Sequence, residues 1–294
     1  MLSRRHVRPQ QTEMLLSRGF LPVSIDYQLC PEVTLEEGPL NDVVDAYAWV
    51  RTRLSSIALE HGVRVNPEKV VVVGWSTGGM LAMSLAWMGA RRFIPAPSAI
   101  LSFYAPADYE DKFWTLPNVP IGSEDTMSQS DALDEEVWEG ISDRPLTGYT
   151  VAVAKRASGT TAQLSCEDPR ARLALNMNWR GMTLNVLLNG LDKTSRAQPA
   201  QPTSAQIAAV NPMTYIRSGA YKTPTFLIHP RDDDLIPYGQ SVRAAAELTA
   251  AGVSAEVRVL DGVPHLFDVY AGWDKNEESR RAVEEGYAFL SEHI

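Results

Sequence analysis

The sequence predicts an α/β protein whose mostly parallel sheet carries helices on both faces. Three observations predict it. Short β-branched runs alternate with amphipathic helical patterns, one such run turns through glycines straight into a helix, and a long segment of different composition interrupts the alternation. Strands separated by helices are parallel and joined by right-handed crossovers, which covers both faces of the sheet.

Residues 6–18, His6 to Arg18, carry Met14, Leu15 and Leu16 and stop at Gly19, so they read as a helix. Leu21 to Tyr27 alternates partly and reads as a strand, broken by Pro31. From Asn41 the apolar residues are spaced by three and four through Leu54, the mark of an amphipathic helix.

Val70-Val71-Val72-Val73 then gives a strand buried on both faces, followed by Gly74-Trp75-Ser76-Thr77-Gly78 and the apolar run from Met80. A strand, a sharp turn and a helix place Ser76 at the top of the sheet with its hydroxyl exposed. Gly74 and Gly78 leave room for the neighbouring strand and helix, and the helix N-terminus aims its N–H groups at a developing oxyanion. Gly-x-Ser-x-Gly also arises by chance in a chain with 19 glycines, and it is the strand before and the helix after that single out Ser76 as the candidate nucleophile.

Ala99 to Tyr104 reads as a further buried strand. Residues 105–218 differ: they are rich in Pro, Asp, Gly and Met, with short helical patterns at Asp131 to Trp138 and Met182 to Leu191, and a polar stretch, Lys193 to Ala205, that reads as a mobile loop. Alternation resumes with the strand Thr223 to His229, the helix Gln240 to Ala251, the strand Glu256 to Leu260 and the helix Glu277 to Glu292. The expected organisation is therefore a core of residues 1–104 and 219–294, with 105–218 as a lid inserted over the carboxyl ends of the strands, where such sheets bind ligands.

A serine hydroxyl needs a base, and the base needs a carboxylate to hold its tautomer. Asp232-Asp233-Asp234 follows the strand ending at His229, and His265 follows the next strand in Asp261-Gly262-Val263-Pro264-His265. Both stretches fall at the carboxyl edge of the sheet, in the chain order Ser76, Asp233, His265. Asp233, four before the proline that closes its turn, is the chosen acid, with Asp232 and Asp234 as alternates. His229 reads as a packing residue, and His6, His61 and His293 as surface groups.

The net charge of −9 excludes a nucleic-acid surface, and the scattered histidines offer no metal site. No glycine-rich phosphate loop is present, so no cofactor is expected. Two cysteines, Cys30 and Cys166, and a start without an apolar leader point to a cytoplasmic protein. No apolar run approaches the roughly 20 residues needed to cross a bilayer.

Asp26-Tyr27-Gln28-Leu29-Cys30-Pro31-Glu32 is similar to the Asp-Tyr-Arg-Leu-Ala-Pro-Glu segment of the hormone-sensitive-lipase-like branch of the α/β-hydrolases, and Gly74 to Gly79 matches that branch's nucleophile elbow. More narrowly, Ser3 to Thr12, Phe20 to Tyr27 and Gly74 to Gly79 resemble the hydrolase domain at the carboxyl end of fungal non-reducing polyketide synthases. The resemblance implies an α/β-hydrolase fold and a serine esterase or thioesterase that releases a polyketide acyl chain from a carrier protein, in association with a synthase. It also implies a His-Gly-Gly-Gly loop before the first helix. This sequence begins after that loop, so the first strands are expected to be missing, and Thr77 N–H is the one oxyanion donor the sequence offers. Loss of one such donor costs on the order of 3 kcal/mol. Trp75, and in the insertion Trp114, Trp138 and Trp179 with Met177 and Met182, are candidates for an apolar acyl pocket, or else plain core residues. Two rival readings are a non-catalytic binding module that keeps the three residues and a general carboxylesterase.

Overall fold

The computed structural model describes Arg4 and residues 8–118, 135–147, 149, 153–155, 162–164, 168–269 and 272–294. His6, with which the first helix was expected to begin, residues 131–134 of the Asp131 to Trp138 pattern and Cys166 lie outside the described residues, as does most of Ser3 to Val7.

In chain order the elements are α1 (Pro9–Ser17), α2 (Asn41–Trp49), α3 (Ser55–Glu60), β1 (Val72–Trp75), α4 (Thr77–Met88), β2 (Ile100–Phe103), α5 (Glu135–Glu139), β3 (Val153–Lys155) and β4 (Ala162–Leu164). There follow α6 (Pro169–Trp179), α7 (Thr183–Asn189), α8 (Ser204–Val210), α9 (Pro212–Arg217), β5 (Thr225–Pro230), α10 (Gly239–Ala250), β6 (Ala255–Leu260) and α11 (Glu277–Glu292). The chain divides into two compact units. One comprises residues 7–25, 42–108 and 211–294, and the other 1–6, 26–41 and 109–210.

The first unit is built on a four-stranded parallel sheet in the order β1-β2-β5-β6. Its register runs from Val72 opposite Ile100, through Ile100 opposite Thr225, to Thr225 opposite Ala255. β2 and β5 are buried along their whole length, as central parallel strands covered on both faces must be. α11 packs Val283, Tyr287 and Leu290 into a core with Leu101, Phe103, Phe226 and Ile228. Its start is capped by the Asn276 side chain, which accepts the Ser279 N–H. α4 is buried from Gly79 to Met88.

The strand expected at Leu21 to Tyr27 does not form. A strand exists only where a neighbour takes its ladder hydrogen bonds, and among the described residues the one bridge in this region is Gln28 to Thr147. Leu21, Val23 and Ile25, the alternating apolar residues of the pattern, are exposed. α1 begins at Pro9, whose fixed φ and missing N–H suit the first helical position. The amphipathic segment from Asn41 passes through a π-type turn at Val50–Leu54 and continues beyond Leu54 as α3.

The second unit holds residues 109–210, within the segment expected to be inserted over 105–218, and also takes in 1–6 and 26–41, which were expected in the core. Glu32 explains the grouping. Its carboxylate forms a two-pronged pair with Arg170 at 2.6 and 2.7 Å and accepts the Ser142 N–H at 2.8 Å, while Arg170 also reaches the Cys30 carbonyl at 3.0 Å. Asp168 caps α6 by accepting the Arg170 and Ala171 N–H groups. α6 and the short helices α8 and α9 were not read from the sequence, because their apolar spacing is irregular and their caps, Asp168 and Asn211, stand alone.

Candidate active site

β1 delivers the chain to the site. The Ser76 N–H continues the ladder by donating to Phe103 C=O at 2.9 Å, and the Ser76 C=O accepts from Gly79 N–H at 2.8 Å, which starts α4 at once. The Ser76 backbone is forced into φ +54°, ψ −127°, a conformation that costs on the order of 1–3 kcal/mol for a residue with a side chain. A Cβ at Gly74 would meet the Gly78 carbonyl oxygen at 2.0 Å, so only glycine fits where the helix start crosses the strand end. Thr77 is the first residue of α4, where backbone N–H groups and the helix dipole both favour negative charge.

His265 Nε2 lies 3.1 Å from Ser76 Oγ, and His265 Nδ1 lies 2.6 Å from Asp233 Oδ2. An ionised carboxylate only accepts, so Nδ1 carries the imidazole proton and the Nε2 lone pair faces the serine hydroxyl. Asp233 Oδ1 accepts the N–H groups of Leu235 and Ile236, both at 2.9 Å. Burial by itself would raise the Asp233 carboxyl. The charge and hydrogen bond of His265 and the hydrogen bond from His229 outweigh it and hold the group well below the usual carboxylate range. Of the alternate acids, Asp232 accepts the Gly262 N–H at 3.1 Å.

Several residues around this chain of three were not singled out by the sequence. His229, read as a packing residue, is fully buried and sits 3.2 Å from Asp233 Oδ2, with its Nε2 also 2.9 Å from the Ile236 carbonyl and its Nδ1 2.8 Å from Ser241 Oγ. Two acceptors at Nε2 place the proton there, so His229 donates towards Asp233. The only signal in the sequence is the spacing of four between His229 and Asp233. Asp268, three residues after His265, is also buried and accepts from Trp75, Tyr104, Arg8 and Gln11. The Tyr104 ring packs 4.6 Å from the His265 ring, centroid to centroid.

The tryptophans fall into different settings. Trp75 stacks on Phe103, carries the Arg8 guanidinium 4.6 Å from its ring and donates its indole N–H to Asp268. Trp114, Trp138 and Trp179 are buried in the second unit, Trp138 in an apolar cluster with Val137, Ile141, Leu173 and Val186 against which Met177 packs. Among the described residues no group of three or more His, Cys, Asp or Glu side chains is arranged to hold a metal ion, and no helix is long and apolar enough to cross a membrane.

Residues 11–155 match a family described as alpha/beta hydrolase fold, and residues 176–294 match the prolyl oligopeptidase family. Along its whole length the chain is 47% identical to a non-reducing polyketide synthase of Penicillium roqueforti, over 302 residues, and 47% identical to the 5-methylorsellinic acid synthase of Aspergillus terreus, over 312 residues. It spans only 12% of the length of each of these relatives. In fold it is similar to carboxyl esterase 2 of Tuber melanosporum, with a TM-score of 0.56, 18% identity, and coverage of 98% of this chain and 73% of that one.

Proposed function

The chain has the α/β-hydrolase fold and is homologous from end to end to part of fungal non-reducing polyketide synthases, and on that premise we propose that it is a serine hydrolase releasing an aromatic polyketide acyl group from a thioester. The observation that carries the reading is the hydrogen-bonded chain Ser76 Oγ, His265, Asp233 at 3.1 and 2.6 Å, set on a turn with φ +54° at the serine. His265 Nε2 takes the Ser76 proton as the oxygen attacks the acyl carbonyl, and the Thr77 N–H at the helix start helps to hold the oxyanion. His265 then returns the proton to the departing thiolate. Water, deprotonated by the same nitrogen, displaces Ser76 and frees the acid. Asp233 keeps His265 in the required tautomer throughout.

A thioester is favoured over a simple ester by the relatives, which are named as polyketide synthases, and the partner of this reading is the acyl carrier of such a synthase. The setting of this reading is the cytoplasm, whose reducing conditions suit the free cysteine Cys30. The test is labelling by a fluorophosphonate, followed by hydrolysis of an N-acetylcysteamine thioester of an aromatic acid and of its matched oxygen ester. Labelling that is lost in Ser76→Ala, with faster turnover of the thioester, is expected. Equal labelling of Ser76→Ala would refute the serine assignment, and preference for the oxygen ester would leave a general carboxylesterase.

A further inference from the structure

Asp268 is a buried carboxylate without a part in the proton transfers above, yet it accepts hydrogen bonds from four side chains. Its Oδ2 accepts from Trp75 Nε1 at 2.7 Å, Gln11 Nε2 at 2.7 Å and Arg8 Nε at 3.0 Å, and its Oδ1 accepts from the Tyr104 hydroxyl at 2.5 Å. Gln11 in turn accepts from the Tyr287 hydroxyl of α11 at 2.9 Å. A buried ion pair such as Arg8 and Asp268 is a poor source of stability, since desolvation consumes most of its attraction. What it supplies is fixed geometry, and the partners indicate whose.

Trp75 immediately precedes Ser76. Tyr104 immediately follows β2 and presses its ring on His265. Asp268 itself sits three residues beyond His265. Among the described residues only five other than glycine have positive φ, and three of these, Ser76 at +54°, Tyr104 at +38° and Leu266 at +61°, lie within two residues of a member of this network or belong to it. Backbone held in such conformations persists only where its surroundings over-determine it. Burial, together with the Asp268 charge, pushes the Tyr104 hydroxyl well above its ordinary value, so it stays protonated as a donor.

We propose that Asp268 is a positioning residue for the Ser76–His265 pair. Its carboxylate ties the turn carrying Ser76, the turn carrying Tyr104 and the loop carrying His265 into one buried unit, with Arg8 and Gln11 of the N-terminal segment as the donors that complete it. The catalytic consequence rests on the serine-hydrolase reading; the geometric one does not.

The test uses the full chain with Asp268→Asn and Tyr104→Phe, each checked for folding by circular dichroism. Asp268→Asn keeps the shape but removes the charge that faces Arg8, and Tyr104→Phe removes one donor while keeping the ring against His265. Two readouts are taken: the downfield proton of His265 Nδ1–H, assigned by its loss in His265→Gln, and the rate of fluorophosphonate labelling. Asp268→Asn is expected to shift or broaden the proton and to slow labelling by about a hundredfold, the cost of an ångström of misplacement. Tyr104→Phe should move both in the same direction by less, and decides the matter alone if Asp268→Asn does not fold. An unmoved proton with an unchanged rate in folded variants overturns the proposal. A wild-type chain that the probe does not label refutes the hydrolase reading instead, and the His265 proton still decides the role of Asp268.

Discussion

Replacing Gly74 by alanine should damage the site far more than the fold. An added Cβ would stand 2.0 Å from Gly78 O, 2.5 Å from Gly78 C and 2.7 Å from Gly79 N, whereas Cβ atoms are essentially never found within 3.0 Å of such neighbours. The strand end and helix start must therefore part by 1 Å or more, and all three obstructing atoms are backbone, so no side chain can swing aside. Overpacking of this kind costs about 1–3 kcal/mol in stability, which a unit with this core survives. The same ångström displaces Ser76 from His265 Nε2 and predicts a loss of labelling rate of about a hundredfold.

Gly62→Ala is the control. Gly62 has φ +75° and nothing within 4 Å of an added Cβ, so that variant suffers only the left-handed backbone penalty of about 1–2 kcal/mol. Both variants should therefore melt a few degrees early, and only Gly74→Ala should label slowly. The assay is the second-order rate of fluorophosphonate labelling at a temperature where both variants are folded. Equal rates for Gly74→Ala and the wild type would refute the account of the turn as a close-packed device for aiming Ser76.

Asp233→Asn should slow labelling by about 10⁴-fold, because an amide no longer fixes the His265 tautomer. The same variant should change the acid limb of stability. Asp233 is held below its ordinary value of about 3.9 in the folded state, so it contributes stability that is present above that value and lost as pH falls below it, at up to about 1.4 kcal/mol per pH unit. Denaturation midpoints below pH 4 should accordingly decline less steeply in Asp233→Asn than in the wild type, and equal slopes would contradict the depressed carboxyl. In the second unit, Glu32→Ala leaves the 2%-exposed Arg170 unpaired and should cost about 3–5 kcal/mol in urea denaturation, while Glu32→Met with Arg170→Met should cost markedly less. Burial and the Glu32 charge push the Cys30 thiol up to about 12, so in a Cys166→Ser chain a disulfide reagent at pH 8 should find no reactive thiol until the protein unfolds.

The parts of this molecule that could be read from the sequence are those whose cause is local. The Val-rich run before Gly74 and the apolar run after it announce a strand and a helix because each pattern is complete within a dozen residues. Asp233 and His265 are found because each follows a buried strand, so the sheet itself carries them to one edge. Leu21 to Tyr27 shows where such reasoning fails: alternation records which side chains suit a strand, but the ladder depends on a partner strand that no local pattern specifies. Asp268 fails for a related reason. In Leu266-Phe267-Asp268-Val269 it looks like a stray polar residue in an apolar run, and its meaning lies with Arg8, 260 positions away, and Trp75, 193 positions away. From the sequence, Trp75 is a candidate for an apolar pocket or a plain core residue. Its indole N–H is bonded to the buried Asp268 carboxylate, so the residue next to the serine is tied into the network that fixes where the serine stands. A motif can nominate the atoms that react, but what holds them to a fraction of an ångström is distributed over α1, β1, the end of β2, the His265 loop and α11, and it becomes visible only once the chain has brought them together.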